Sequence, residues 1–342
     1  MKKIAVIGVG AIGGLLGAYL TRGGHDVTVI SCFRRENAEY MATHGIAVDG
    51  AKGSFHVNVK SVFIDDLKKD DLFDIFMVAL KGNDTQQVLK CLKVHLRADG
   101  YCLTLQNGLN ENLIADILGE QRVVYAVSRA GGALTAPGHV CDHDGEFVIG
   151  EADNSRTPRI LELQQILSCA RPTSVAQDIL EVKWEKLCTV ALSVPACTVS
   201  GIYLSDIFFD SAAHQLYGLL ALEIFRVAAA SGHPMEKIME RTPEDWLPIA
   251  QGEQDGAWDP ATAEIHFPPK VVDAYTQDIR RGRPLEIGYT NGAVIRLGKK
   301  YGVPTPVNQR LVDAIYDIEK GAEQPGKALL QRIIDQSLPA RL

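Results

Sequence analysis

The sequence predicts an α/β domain built on a parallel sheet at the N-terminus, followed by an all-α domain at the C-terminus. Three observations carry that expectation. Up to about residue 178, short β-branched apolar runs alternate with segments of helical spacing, the pattern of strands joined by crossover helices. A glycine-rich turn separates the first such run from the first helical segment. Beyond residue 178 the alternation stops and long helical patterns replace it. At roughly 150 residues per domain, a chain of 342 residues holds two domains, placed here at 1–178 and 179–342.

In chain order, the β-branched run 3–7 reads as a strand, the glycines as a turn, and 15–21 as a helix stopped by Gly23-Gly24. Strands follow at 27–30 and 73–80, a helix at 85–95, a strand at 101–105, a helix at 111–118 and a strand at 123–127. The stretch 138–150 reads as a hairpin, and a helix at 160–169 with a short strand near Ser174 closes the first domain. In the second domain the spacing predicts helices at 179–198, 211–231, 268–281, 284–301 and 306–319. Proline, glycine and acidic residues mark 242–259 as a loop-rich interval.

Bulk properties narrow the function classes. With 46% apolar and 23% charged residues the chain has the composition of a packed globular protein. A net charge of -7 disfavours general attraction to nucleic acid or anionic lipid, which leaves small molecules as the expected partners. The seven cysteines are scattered without a C-x-x-C pair, which points to a reducing, cytoplasmic location. The basic start, Met1-Lys2-Lys3, resembles a signal peptide, but glycines interrupt the apolar run behind it and no small-residue cleavage site follows. No apolar stretch is long enough to span a bilayer. The sequence leaves a homodimer open.

Gly8-Val9-Gly10-Ala11-Ile12-Gly13 is a G-x-G-x-x-G in the context that gives that motif meaning, after a strand and before a helix. The first glycine permits the tight turn, the second lets backbone approach a pyrophosphate, and the third lets helix pack closely on strand. The free N–H groups and dipole of the helix N-terminus then hold the anion. The first domain is therefore expected to be a Rossmann domain. An acidic residue at the end of the second strand would hold the ribose 2'-hydroxyl of NAD. Ser31 stands there instead, followed by Arg34 and Arg35, and a guanidinium at that point can pair with the 2'-phosphate of NADP. NADPH is the expected cofactor, with NAD as the alternative.

Five landmarks, spread over nearly the whole chain, resemble the ketopantoate reductase family. They are the N-terminal Gly-x-Gly-Ala-x-Gly, Lys81 behind an apolar strand, Gln106-Asn107-Gly108, Trp184-Glu185-Lys186-Leu187, and the run from Asp278 through Glu286 to Asn291-Gly292 and Gly302-Val303-Pro304-Thr305-Pro306. The resemblance implies a 2-dehydropantoate 2-reductase of pantothenate biosynthesis, with Lys186 as general acid and Glu286 close to cofactor and substrate. It places Lys81 and Asn107 at the nicotinamide end of the site, with Asn107 and Asp278 also toward the substrate. The chemistry asks for such a lysine independently. Hydride delivery to a 2-oxo carbon makes an alkoxide, which a positioned ammonium stabilises and protonates.

The chain departs from the family at the substrate. Asparagines are expected four and eight residues after the catalytic lysine, and this chain has Val190 and Val194. A serine is expected four residues before Asp278, and this chain has Ala274. Replacing polar contacts by apolar surface favours a ligand without the matching hydroxyl, hence a more apolar 2-oxo acid, as in a D-2-hydroxyacid dehydrogenase. Thr189 or Ser193 would be the substitute contacts if the helix were rotated. Outside the family, a ketol-acid reductoisomerase or β-hydroxyacid dehydrogenase shares the domain order, but no set of magnesium carboxylates is evident in the helical half. A catalytically silent NADP sensor is the reading from another class, and retention of Lys186 and Glu286 argues against it. His139, Cys141 and His143 alternate along one strand face, yet lack a fourth ligand for zinc, so no metal is expected.

Overall fold

A computed structural model of the chain describes residues 1–50, 53–259 and 270–338. These divide into two compact units, Met1–Lys183 and Trp184–Leu342. The first begins with β1 (Lys3–Ile7), α1 (Ala11–Arg22), β2 (Asp26–Ser31), α2 (Arg35–His44), β3 (Ile46–Gly50), β4 (Phe55–Val57) and β5 (Lys60–Phe63). It continues through β6 (Phe73–Val78), α3 (Gly82–Leu92), β7 (Leu96–Thr104), α4 (Glu111–Leu118) and β8 (Val123–Ser128). It ends with β9 (Gly132–Ala136), β10 (His139–Asp142), β11 (Phe147–Gly150), α5 (Pro158–Ser168) and β12 (Thr173–Val175).

The main sheet has eight strands in the order β12-β11-β8-β7-β6-β1-β2-β5. Every neighbouring pair is parallel except β11 with β8. Side chains alternate across β1 as a strand requires. Ile4 and Val6 join a core with Leu15, Leu16 and Leu20 of α1 and Leu163 of α5. Ala5 and Ile7 join a second core with Leu89 and Leu92 of α3 and Ile114 of α4. The sheet is thus covered on both faces, which is why its strands read as continuous apolar runs.

The 138–150 segment is not a hairpin. β10 belongs to a separate four-stranded sheet, β4-β3-β10-β9, while β11 pairs with β8 and β12 in the main one. Two neighbouring strands with a glycine-containing turn look alike in sequence whether they pair with each other or with other partners. The helix α2 and the strands β3 to β5 also escaped the sequence reading, being short and amphipathic rather than strongly periodic.

α6 (Ile179–Ser200) starts in the first unit and runs on into the second. The second unit adds α7 (Ser211–Ala230), α8 (Pro243–Ala250), α9 (Ala274–Arg280), α10 (Asn291–Tyr301), α11 (Pro306–Glu319) and α12 (Lys327–Ser337). α7 is its centre, burying most of its length, including Leu216, Tyr217 and Leu220, and leaving one face with Ser211, Arg226 and Ala229 exposed. Three expectations need correction. The interval 242–259 contains α8, started by a capping box between Thr242 and Asp245 with Pro243 in its first turn. Of the helix expected at 268–281, residues 268 and 269 lie outside the described residues, and the helix seen begins only at Ala274, capped by Asp273. Instead of a helix over 284–301, Ile287–Tyr289 forms a 3-10 turn and α10 follows it. Among the described residues no helix is long and apolar enough to cross a membrane.

Candidate active site

The parallel order makes β1 the switch point of the sheet, with β2 on one side and β6 on the other. Ligands of such sheets lie beyond the carboxyl ends of the strands at that point. Three loops of the chain leave the sheet there. Gly8 follows β1 with φ +98°, where a Cβ would stand 2.8 Å from a Leu80 methyl. A Cβ on Gly13 would stand 1.8 Å from the Gly8 carbonyl oxygen, so α1 packs against the loop at a distance only glycine allows. Gly10, by contrast, faces open space, with nothing within 4 Å of a Cβ built there. It is the N-cap of α1, and no side chain caps that helix end. This is a cradle a Cβ would narrow at the mouth of a helix dipole, and Gly8, Val9, Gly10, Ala11, Ile12 and Gly13 fit a dinucleotide pyrophosphate.

The second loop, Ala79 to Lys81, runs beside the first, since the Ala79 N–H donates to the Ile7 carbonyl. Lys81 is the N-cap of α3 and is half-buried. Burial pushes the nearby Asp84 carboxyl up, and the Lys81 charge opposes that shift. The third loop leaves β7. Buried Gln106 donates to the Leu80 carbonyl at 2.8 Å and to Thr85 Oγ1 at 2.6 Å, tying the second and third loops together. Next to it the Asn107 side chain is exposed, and the Asn107 carbonyl accepts from Asn110 Nδ2 at 2.9 Å. The Asn-Gly pair therefore does form a turn, held by the Asn110 side chain, while the Asn107 side-chain amide is exposed.

At the end of β2, Ser31 is buried and donates to the Arg34 carbonyl at 2.8 Å. Arg35 pairs with Asp66 and lies 4.4 Å over the Phe63 ring. Arg34 is exposed and makes no ion pair among the described residues. The two arginines differ for a topological reason: β5 pairs with β2 and brings Phe63 and Asp66 to Arg35.

In the second unit, the Trp184-Glu185-Lys186-Leu187 motif sits on α6. Trp184, Leu187, Cys188, Ala191 and Leu192 are buried. Lys186, Val190 and Val194 are only half-buried, and their spacing sets them along one side of the helix. Ser193 is buried and donates to the Thr189 carbonyl at 2.7 Å, and Thr189 donates to the Glu185 carbonyl at 3.2 Å. Both hydroxyl protons are thus held by the helix's own backbone. One helical turn beyond Val194, Thr198 donates to Asp273 Oδ1 at 2.8 Å, and the same oxygen caps α9 at Tyr275 and Thr276. Ala274 is exposed at the start of that helix, while Asp278 is buried near its end, its carbonyl accepting from Arg281 and Arg283. Glu286 is half-buried and leads into the 3-10 turn.

Two family models match the chain. The model described as Ketopantoate reductase PanE/ApbA matches residues 4–154, and its C-terminal counterpart matches residues 178–319. The chain belongs to this family. Its curated relatives include the 2-dehydropantoate 2-reductase of Aquifex aeolicus, 26% identical over 90% of this chain and 94% of that one. The enzyme of the same name from Archaeoglobus fulgidus is 25% identical over 94% of this chain and 99% of its own. Among solved structures, a D-mandelate dehydrogenase shares the fold with a TM-score of 0.79 at 24% identity, over 94% of this chain and 99% of its own. This ketopantoate reductase family member is accordingly an oxidoreductase of the 2-dehydropantoate 2-reductase type, with a pyridine-nucleotide site.

Sequence reasoning missed several residues that shape the site. Gln106 was quoted only as part of a motif. Lys183, just before the Trp184 motif, forms a buried ion pair with Glu111 at the start of α4 and reaches the Ala126 carbonyl at 3.4 Å. A lysine facing the core is unusual enough to flag only once its burial is known. His139 Nε2 lies 3.3 Å from the Tyr40 hydroxyl, and His143 lies past the end of β10. Among the described residues no group of three metal-ligating side chains occurs.

Proposed function

We propose that this enzyme reduces a 2-oxo acid to a 2-hydroxy acid with NADPH, using Lys186 as proton donor, and that it prefers a substrate with an apolar side chain. The observation that carries the proposal is the side of α6 on which Lys186, Val190 and Val194 lie half-buried, next to a face packed into the core through Trp184, Leu187, Ala191 and Leu192. Valines serving only as core filling would be expected to be as buried as Ala191 and Leu192 beside them.

When bound, the reduced nicotinamide would supply a hydride to the 2-oxo carbon. Lys186 has the chemistry to hold the carbonyl oxygen by an N–H···O hydrogen bond and to transfer a proton to it as negative charge develops. Glu286 is the carboxylate that the family pattern puts close to cofactor and substrate, with a charge suited to orient the ammonium. Asn107 offers an amide to the nicotinamide end of the cofactor, and Lys81 a cation. Asp278, buried at the end of α9, serves better as a support of the substrate segment than as a direct contact. We assign the 2'-phosphate to Arg34, whose guanidinium is exposed and makes no ion pair among the described residues.

The apolar preference follows from the side chains present. Val190 and Val194 leave no hydrogen-bond partner where the family has asparagines, Ala274 offers none in place of serine, and Thr189 and Ser193 direct their protons elsewhere. A polar substrate group buried there would lose its water without replacement. The solved D-mandelate dehydrogenase is described with NADH and anilino(oxo)acetate, so the fold in that protein accepts a 2-oxo acid with an apolar substituent.

NADPH oxidation measured over a series of 2-oxo acids of graded polarity tests the reading. Catalytic efficiency is expected to favour an apolar tail over ketopantoate by about 10- to 200-fold, and Val190→Asn to move the preference back. A purified enzyme that turns over ketopantoate better than every apolar 2-oxo acid would reduce the proposal to ketopantoate reduction itself.

A further inference from the structure

We propose that Asn291 is a positioning residue for the reaction, acting through a backbone carbonyl that Pro195 leaves without its helical partner. The role in catalysis rests on the reading of Lys186 given above, whereas the bridge itself does not.

Pro195 lies inside α6. Proline has no N–H, so the Ala191 carbonyl, four residues back, loses the donor that a helix would give it. Ala191 is fully buried, where an unpaired carbonyl is costly. The Asn291 side chain takes the vacant position, its Nδ2 donating to the Ala191 oxygen at 2.9 Å. The same nitrogen donates to Asn308 Oδ1 at 3.0 Å, which gives both amide protons an acceptor.

The bridge is braced from behind. Asn308 Nδ2 donates to Glu223 Oε2 at 2.8 Å, and Glu223 also accepts the backbone N–H groups of Val307 and Asn308 in the first turn of α11. On the other side Thr290 Oγ1 lies 2.7 Å from the Tyr275 hydroxyl of α9. Asn291, Asn308, Glu223, Thr290 and Tyr275 are all buried. Thr290 Oγ1 in turn donates to Asn291 Oδ1 at 3.4 Å, so the amide is held in one orientation by Asn308 and Thr290, which Glu223 of α7 and Tyr275 of α9 brace.

Its location gives the bridge a consequence for the site. Ala191 sits between Val190 and Val194, at the opening that proline makes in the helix ladder. Asn291 is the first residue of α10, directly after the short turn that Glu286 leads. One side chain thus joins the backbone of the Lys186 helix to the backbone of the Glu286 segment. A slip of either by about an ångström is of the size that lowers turnover substantially without touching the chemistry.

The test is a double-mutant cycle. Asn291→Ala is expected to lower kcat for 2-oxo acid reduction at saturating NADPH by about 10- to 100-fold, with the affinity for NADPH kept. Pro195→Ala restores an N–H for Ala191, so in the Asn291→Ala background it is expected to recover part of both kcat and the unfolding midpoint. Asn291→Ser serves the same cycle should the alanine variant not fold. Native kcat in a folded Asn291 variant with a lowered midpoint would overturn the positioning role, and additive losses in the cycle would overturn the bridge. If the native enzyme reduced no 2-oxo acid, the reading of Lys186 would fall and the positioning role with it. The bridge is then decided by unfolding midpoints alone, recovery supporting it and additivity overturning it.

Discussion

Lys186 and Arg34 are single side chains whose surroundings say what each can do. Lys186 shares a helix side with two half-buried valines, while its neighbours Trp184 and Leu187 anchor the helix in the core. Lys186→Ala should therefore fold, bind NADPH with nearly native affinity, and lose about 100-fold or more in turnover, the usual scale of general acid catalysis. Kinetics at saturating NADPH check this, and near-native turnover would mean that the proton comes from another group. Arg34 and Arg35 are adjacent in sequence but not equivalent, because Asp66 and Phe63 already engage Arg35. Arg34→Ala is expected to erode the preference for NADPH over NADH, and Arg35→Ala to leave it nearly unchanged. Titration of both variants with both cofactors tells them apart, and the reverse result would assign the phosphate to Arg35.

Elements set the conditions under which such residues work, and the glycine turn between β1 and α1 shows how. Gly10 and Gly13 have different jobs in the motif, and only Gly13 touches the protein closely, with the Gly8 oxygen 1.8 Å from a Cβ. Gly13→Ala should destabilise the fold, whereas Gly10→Ala should leave the unfolding midpoint near native and weaken nucleotide binding instead. Thermal unfolding with and without NADPH separates the two. A Gly10→Ala protein that gains native stabilisation from NADPH would remove Gly10 from the cradle. The long strands and helices that make this turn were legible because a buried parallel strand is a continuous apolar run and an amphipathic helix repeats every 3.6 residues. The short β3 carries two buried residues and β4 and β5 only half-buried ones, too few to raise a pattern. α8 was hidden by its own start signal, since Thr242 and Pro243 read equally well as loop residues until the helix behind them is seen.

At the scale of the molecule, stability in acid is expected to hinge on His214 in the second unit. Its ring is fully buried, with Nε2 2.9 Å from the Phe208 carbonyl and Nδ1 3.1 Å from an Arg241 guanidinium nitrogen. Arg241 also donates to the Gly256 carbonyl and lies over Trp246, so this cluster knits α7, α8 and the loop after it. Burial first, and the Arg241 charge second, hold the His214 pKa down at about 4, against the weaker pull of the Phe208 carbonyl and then of Asp255 and Asp210. The folded protein thus keeps this ring neutral while the unfolded chain takes up its proton near pH 6.5. Stability contributed in this way is fully present above about pH 6.5 and is lost as pH falls from there toward about 4, by roughly 3 kcal/mol. Denaturant unfolding between pH 7 and 4 measures it, and an equal slope in His214→Gln would place the acid sensitivity elsewhere.

By itself the sequence determined the order of the two folds, the dinucleotide loop and the family, because these depend on local periodicity and on motifs read within one stretch of chain. It also placed the unusual valines on the side of the Lys186 helix, since spacing along a helix is a local property. The tertiary structure alone decided which arginine is already occupied, that β10 and β11 part into different sheets, that Lys183 is buried against Glu111, and that Asn291 repairs the gap at Pro195. Each of these joins residues far apart in sequence, and a contact closed by packing leaves no periodic trace in the segments that make it.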